Sequence, residues 1–562
     1  MKNRPLASFL TLSSLSLLPV LASAQTALAR IDGSSTGIQL GHDVAALGDV
    51  NNDGATDWIV GAPLDDTGGG DAGMAVVYSG ATQAPLHTLF GAAAGAKLGT
   101  SVAPLGDLDG DGYPDLLVTS PGTNRVEAYS GVTGLAFLTI TSTVDDFGGS
   151  LASGGDANGD GVDDILVGAP RADTNGTNSG HAALYSGSTG ALIRTHNGVG
   201  ALVHFGHAVA FIGDLNGDLR AEYMVGAPAP YPGAGYLPYV KVFDGASGTL
   251  LWSDGGSHSD AFGHSLCAID DISGDGRPDV LIGAMQDTGV GCACVGRGFV
   301  RALDGATGSL LYQVNHTVGT YVGFGWDIAM VGDMNGNGTP DFASSLPGTD
   351  GCWPGFGIEI HDGQDGVLIM EMSAPTEAGH LGASLDFGDT NGDGLGDLIL
   401  GAPCSQPNGA NSGSVYTYTA LRRVTIYCTA KTNSLGCTPY IEGVGTPSET
   451  VPVPFRIKAF QVLNNKPGIL FYGSAPQSIP FQDGRLCVDG PLTRTPVQFS
   501  GGNPPPTDCS GAYSIDFNDY IRSGVDPSLV AGEEVFVQYW SRDAGSSSGT
   551  GLTDALGFFI FP

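Results

Sequence analysis

Short runs of apolar or alternating residues, four to a repeat and separated by Gly, Asp and Asn, recur along most of the chain. The fifth repeat shows the order: AFGHSLCAID, an acidic loop, PDVLIGAM, a second loop, GFVRALDG, then ATGSLLYQV. Four such runs joined by turn residues predict an antiparallel four-stranded meander, which is one blade of a propeller. The acidic loop, D-x-[DNS]-x-[DN]-G-x-x-D, marks each copy: GDVNNDGATDWIVGAP from Gly48, GDLDGDGYPDLLVTSP from Gly106, GDANGDGVDDILVGAP from Gly155, GDLNGDLRAEYMVGAP from Gly213, DDISGDGRPDVLIGAM from Asp270, GDMNGNGTPDFASSLP from Gly332 and GDTNGDGLGDLILGAP from Gly388. Their first aspartates lie 49 to 62 residues apart, a period that signals a repeat architecture. The last repeat ends at GSVYTYTA without a fourth run, and TALARIDG from Thr26 to Gly33 supplies one just before the first. A strand from the N-terminus would complete the last blade and remove two exposed sheet edges. The expected fold is therefore all-β: a seven-bladed β-propeller over residues 25–422, followed by a small C-terminal β-sandwich over 423–562.

The loop has the chemistry of a cation site. Side chains at positions 1, 3 and 5 converge, Gly at position 6 makes a sharp turn with positive φ, position 7 offers a carbonyl, and Asp at position 9 completes an all-oxygen shell suited to Ca²⁺. Mg²⁺ fits less well, because it keeps its waters and needs a tighter octahedron. The expected ligands are Asp49, Asn51, Asp53, Ala55 and Asp57 in the first copy, and Asp107, Asp109, Asp111, Tyr113 and Asp115 in the second. The third offers Asp156, Asn158, Asp160, Val162 and Asp164, and the fifth Asp271, Ser273, Asp275, Arg277 and Asp279. The sixth offers Asp333, Asn335, Asn337, Thr339 and Asp341, and the seventh Asp389, Asn391, Asp393, Leu395 and Asp397. Ala55, Tyr113, Val162, Arg277, Thr339 and Leu395 would contribute through the main chain. The fourth copy is left out, with Leu219 where Gly belongs and Glu222 at position 9; the sixth is weak, with two acids. An EF-hand is excluded, since position 12 is Val60, Val118 or Val167 and the flanks are strands. The alternative reading is a tight turn held by Asp and Asn bonding their own backbone. The cations would be structural, tying hairpins together.

The copies resemble the FG-GAP repeats of the integrin α-subunit head, from Phe-Gly before the loop (Phe147-Gly148, Phe205-Gly206, Phe262-Gly263, Phe324-Gly325) to Gly-Ala-Pro after it. Repeats 1, 2 and 7 carry Leu-Gly, and repeats 2, 5 and 6 depart from Gly-Ala-Pro. The resemblance implies a calcium-binding propeller used in adhesion or ligand binding. Related calcium propellers also bind sugars, so a carbohydrate-binding lectin is the second reading; an extracellular polysaccharide- or lipid-degrading enzyme, or its accessory domain, is the third.

Composition narrows the setting. Residues 1–24 carry Lys2 and Arg4, an apolar stretch from Leu6 to Leu21, then Ala22-Ser23-Ala24, the layout of a secretory signal peptide. The expected location is secreted, extracellular or at the cell surface, with no transmembrane segment. With 57 acidic residues against 22 Lys plus Arg, no nucleic-acid partner is expected. Of those acids, 21 sit at loop positions 1, 3, 5 and 9. Nine cysteines in an exported chain suggest disulfides plus one leftover thiol. Cys267 in HSLCAID is the expected buried free thiol, Cys292, Cys294, Cys352 and Cys404 could cross-link neighbouring loops, and Cys428–Cys437 with Cys487–Cys509 is the pairing suggested for the tail.

Enzyme signatures are nearly missing, and no catalytic residue is expected. The G-x-S-x-G match at Gly545 to Gly549 lies in the low-complexity run AGSSSGTG. His42, His207 and His264 recur at one repeat position, which predicts packing. Calcium loops should share one face of the ring with the short fourth-strand turns. The longer loops, with Tyr231, Tyr236, Tyr239, Trp353 and Phe356, should gather on the other, either packed over the rim or recognising an extracellular protein or glycan.

Overall fold

A computed structural model describes residues 28–229, 236–257, 260–285, 297–316, 322–334, 337–348, 357–375, 377–392, 394, 396–419, 425–444, 447–448, 454–530 and 533–560. The proposed signal peptide lies outside these residues. Seven four-stranded antiparallel sheets follow one another, as the repeat predicts. Blades 1 to 6 span residues 44–90, 102–141, 150–197, 209–255, 262–315 and 328–373. Blade 7 takes three strands from 385–419 and its fourth, Ala29–Asp32, from the other end of the chain. That strand runs antiparallel to the third, with Ala29 opposite Thr417 and Asp32 opposite Ser414.

Burial grades outward from the axis. The second strand of every blade, such as Asp57–Ala62 or Asp279–Ala284, is buried along its whole length, because a neighbouring blade covers each face. A continuous apolar run is what such a strand requires. Fourth strands, such as Leu310–Asn315, mix exposed and half-buried positions at the periphery. The core is divided into seven apolar clusters, one at each joint between blades. Ile38, Leu40, Val44, Trp58, Val60, Ile399 and Val415 make the joint between blades 7 and 1, so the ring is closed by packing as well as by strand pairing.

The repeat motif has a packing cause. Phe147, Phe205, Phe262 and Phe324 are each 0 % exposed, and Leu40, Leu98 and Leu381 fill the same place in the other copies at 2 %. The glycine after them packs against the glycine of the preceding blade's Gly-Ala-Pro. A Cβ on Gly226 would lie 2.2 Å from the Gly263 carbonyl oxygen, and one on Gly61 only 1.9 Å from that of Gly99. At these joints the main chains of adjacent blades touch and no side chain fits between, whereas Thr119 and Ser345 face Gly148 and Gly382 at the joints that follow blades 2 and 6. Gly226→Ala is expected to cost about 1–3 kcal/mol by overpacking, read as a lower melting temperature; an unchanged melt would show that the joint can part without loss.

The tail forms two facing sheets. Thr425–Tyr427, Thr550–Phe559, Glu534–Arg542, Pro467–Gly473 and Thr493–Arg494 make the larger, with Gln498–Phe499 also on Pro467–Gly473. Tyr440–Val444, Arg456–Val462 and Gly511–Asp516 make the smaller. Ile441, Phe455, Ile457, Leu470, Val537, Leu556 and Phe558 fill the space between. The disulfides here are Cys428–Cys487 and Cys437–Cys509, which corrects the sequence-neighbour pairing. Sheet order decides it: Ala475–Phe481 and Gly484–Asp489 form a separate hairpin, and Tyr427 Oη donates to the Cys487 carbonyl at 2.6 Å, bringing Cys428 beside the second of these strands. Cys267 is free but half-buried, not fully enclosed, because it sits on the axial strand of blade 5. Cys404 is disulfide-bonded, whereas Cys292, Cys294 and Cys352 lie outside the described residues. Among the described residues no helix is long and apolar enough to cross a membrane.

Candidate metal centre

Each acidic loop joins the first two strands of a blade and closes by the same bonds. The position-1 carboxylate accepts the position-6 amide in all seven copies: from Gly54 to Asp49 at 2.9 Å, Gly112 to Asp107 at 2.8 Å, Gly161 to Asp156 at 2.8 Å, Leu219 to Asp214 at 2.9 Å, and at 2.7 Å in the pairs Gly276–Asp271, Gly338–Asp333 and Gly394–Asp389. The position-7 amides of Ala55, Tyr113, Val162, Arg277 and Thr339 donate to the side-chain oxygen at position 5, on Asp53, Asp111, Asp160, Asp275 and Asn337. Asn335, Asp393 and Leu395 lie outside the described residues.

Position 9 is the deepest group. Asp57, Asp115, Asp164, Asp279, Asp341 and Asp397 are each 0 % exposed. Asp115 accepts the amides of Leu108 and Asp109 at 2.8 and 3.1 Å and, from the turn between the third and fourth strands, that of Gly131 at 3.2 Å. It thus pins the acidic loop to a second turn. Burial pushes the Asp57 and Asp164 carboxyls up to about 6 and that of Asp341 up to about 7, against the pull of those amides.

The donor set fits a hard cation. In blade 2 one carboxylate oxygen from each of Asp107, Asp109 and Asp115 lies within 4.8 Å of the others. Only oxygen atoms converge, and one divalent ion would relieve their mutual repulsion. Where position 3 is Asn, its amide stands in part for that charge: Asn51 Nδ2 donates to Asp53 at 2.9 Å, and Asn158 Nδ2 to Asp160 and Asp164 at 3.1 and 2.8 Å. Ser273 of blade 5 donates its hydroxyl to Asp271 at 3.3 Å. Asn391 Nδ2 donates to Asp397 at 3.4 Å in blade 7.

Two features escape the sequence reading. The fourth loop closes like the rest, with Leu219 held at φ 65°, and Asp218, Glu222 and Asp244 bring carboxylate oxygens within 4.8 Å of one another. Its loop closure therefore matches the copies it was set apart from, while its carboxylates come from position 5, position 9 and the following turn, where blade 2 uses positions 1, 3 and 9. Second, a residue on the turn between the third and fourth strands reaches the loop. Ser79 donates to Asp53 at 2.8 Å and Ser188 to Asp160 at 2.7 Å, while Asp244 and Asp362 accept from Asn216 at 2.9 Å and Asn337 at 2.8 Å. This turn carries serine in blades 1 to 3 (Ser79, Ser130 and Ser186) and aspartate in blades 4 to 6 (Asp244, Asp304 and Asp362). The signal was a D-G pair in place of S-G, 29 to 33 residues after the first loop aspartate, and it needed the meander's geometry to be read. Leu219 is 87 % exposed in a left-handed conformation that costs an L-residue about 1–2 kcal/mol. Leu219→Gly is expected to raise stability by about 1 kcal/mol, measured by denaturant titration; a loss would mean that the Leu219 side chain holds the loop.

At the other end of the strands, a polar cavity of about 1220 Å³ opens on the axis. Its wall carries His42, His207, His264 and Trp326 at one repeat position. His42 Nδ1 bonds the Thr100 carbonyl at 3.1 Å, His207 Nδ1 that of His264 at 3.3 Å, and His264 Nδ1 that of Trp326 at 2.9 Å. Trp326 Nε1 donates to the Ala383 carbonyl at 3.1 Å. These rings knit successive blades together, so the packing role holds, and they also face a cavity. Asp43, Asp327 and Asp386 line the same wall and accept the amides of Val102, Leu385 and Ala46 from adjoining blades. Burial pushes the Asp327 carboxyl up to about 8 and that of Asp386 up to about 6. Of the loop aromatics, Tyr236 lies over Gly200 and Tyr239 Oη accepts the Val199 amide at 3.4 Å. Tyr231, Trp353 and Phe356 lie outside the described residues. Ser547, at the centre of the G-x-S-x-G match, sits on a turn between strands and bonds Asp483.

A closed ring of seven blades, each with a buried Phe-Gly or Leu-Gly turn and an acidic first hairpin, defines an FG-GAP propeller. Family models agree: the FG-GAP-like repeat matches residues 107–167 and the FG-GAP repeat matches 262–293 and 381–418. Integrin alpha-5 of Xenopus laevis is 30 % identical over 213 residues, covering 35 % of this chain and 20 % of that protein. Integrin alpha-V of Gallus gallus is 31 % identical over 262 residues, 45 % of this chain and 20 % of that protein. Integrin alpha-IIb of Homo sapiens is 36 % identical over 118 residues, 19 % and 11 %. The matched segments span a fifth or less of these relatives. The chain is an FG-GAP repeat protein related to the N-terminal region of integrin α subunits.

Proposed function

We propose that this is a calcium-stabilised propeller acting outside the cytoplasm in adhesion or ligand binding. The observation that carries the calcium reading is the convergence of three carboxylates in blade 2 and in blade 4, in loops that close as the other five do. Ca²⁺ would be held by positions 1, 3, 5 and 9, with the position-7 carbonyl, and would supply charge neutralisation that fixes each hairpin. Export by residues 1–24 is in keeping with the disulfides Cys428–Cys487 and Cys437–Cys509. Residues 25–422 would form the binding unit and 423–562 a separately folded one.

The ligand face is the one remote from the cation loops. There the axial cavity opens, and the integrin likeness is in keeping with a bound ligand. Its wall mixes His207, His264 and Trp326 with Asp43, Asp327 and Asp386, chemistry suited to a polar ligand. The test is a binding screen of the immobilised full chain against extracellular-matrix proteins and a glycan array, in Ca²⁺ and in chelator. A saturable protein ligand, weakened by Trp326→Ala, supports the reading. Binding confined to glycans would replace it by a lectin, and no binder in either panel would overturn it.

A further inference from the structure

The geometry points to a chemical modification site inside the cation loops: Asn158-Gly159 and Asn216-Gly217 are deamidation sites that the bound cation protects. The inference rests on the calcium reading above. Three of the described loops place Asn-Gly at positions 3 and 4, the third being Asn391-Gly392. Asn before Gly is the most exposed of amides to attack by its own main chain, because glycine has no side chain to obstruct the approach.

The loop arranges this chemistry further. Gly159 N donates to Asp156 Oδ1 at 2.5 Å, and Gly217 N donates to Asp214 Oδ1 at 2.6 Å. Each potential nucleophile thus faces a carboxylate able to draw off its proton. In the reaction the glycine nitrogen loses that proton and bonds to Cγ of the preceding asparagine. The Cγ–Nδ2 bond then breaks, and the amide leaves as ammonia after taking up a proton. Water opens the resulting succinimide at one of its two carbonyls and yields aspartate or isoaspartate. Amide plus water becomes acid plus ammonia, with no oxidant or reductant.

A cation in the loop opposes every step. Asp156 and Asn158 would be engaged as its ligands, so Asp156 would no longer be free to take the Gly159 proton. The products differ in consequence. Aspartate at position 3 reproduces the acids of blade 2, where Asp109 already converges with Asp107 and Asp115. Isoaspartate lengthens the main chain by one carbon and spoils the ring of ligands. A loop that once loses its ion is therefore rewritten, for better or worse.

Three other Asn-Gly pairs serve as internal controls. Asn197-Gly198, Asn175-Gly176 and Asn408-Gly409 lie outside the acidic loops; Gly198 N donates to the Gly180 carbonyl at 3.1 Å, which is no base. The full chain is incubated near neutral pH in Ca²⁺ or in chelator, and peptide mass spectrometry follows the mass gain at each asparagine. Melting temperature is recorded on the same samples. Deamidation at Asn158 and Asn216 is expected to be several-fold faster in chelator, with the controls alike in both. Asp156→Asn should slow Asn158 in chelator. Equal rates at Asn158 and Asn216 in both media, beside a melt that chelator lowers, overturn the proposal and leave the calcium reading standing. Equal rates with an unmoved melt overturn both.

Discussion

Stripping divalent cations from the folded chain is expected to lower its melting temperature by at least about 10 °C. A site kept at a hundred times its dissociation constant contributes about 2.7 kcal/mol to the folded state, and several loops would contribute together. For domains of 150–250 residues, each kcal/mol moves the midpoint by about 2–4 °C. The loss should be greatest where the acids are densest, in blade 2, whose Asp107, Asp109, Asp111 and Asp115 lie in one turn of chain. The position-9 aspartates explain why the effect should spread. Asp115 and its counterparts tie the acidic loop to the turn between the third and fourth strands, so loosening one loop loosens two. Differential scanning calorimetry in Ca²⁺ and in chelator reads the shift. Coincident traces would leave the acidic loops as turns that need no ion.

A chain that begins after Gly33 is expected to lose cooperative folding of the ring. It lacks Ala29–Asp32, so the main chain of Ser414–Thr417 is left without its partner. It also lacks Ile31, which packs against the joint between blades 7 and 1. The third strand of blade 7 would become a bare sheet edge, a template for pairing with other chains. Size-exclusion chromatography should show aggregates, and the thermal transition should broaden and fall. A synthetic peptide covering residues 26–33, added in excess, should restore a monomer. A monomeric truncation that melts like the full chain would mean that the apolar cluster alone closes the ring.

The architecture was legible because its cause is local and repeated. Each blade is written in one stretch of sequence, and the missing fourth run of the last repeat matched a spare run at the start. What escaped lies between distant residues. Gly226 and Gly263 read as two separate motif letters, although their main chains touch across a joint. Asp244 and Asp362 lie in a different turn from the loops they complete. The fourth loop was set apart because Leu219 disfavours positive φ, yet the surrounding bonds from Asp214 hold it there. Cysteine pairing failed for the same reason, since nearness in sequence says nothing of sheet order.

The closing strand has a mechanical consequence. Ala29 pairs with Thr417 and Asp32 with Ser414, so the chain enters its strand at the end where the third strand of blade 7 leaves toward the tail. A pull applied through both ends of the chain would load the Ala29–Thr417 pair first and then each pair in turn. Such a load peels a ladder open one step at a time, where a pull along the strands would strain all its bonds together. Under tension between its two ends, this ring should yield at its clasp at low force, well before any blade unravels.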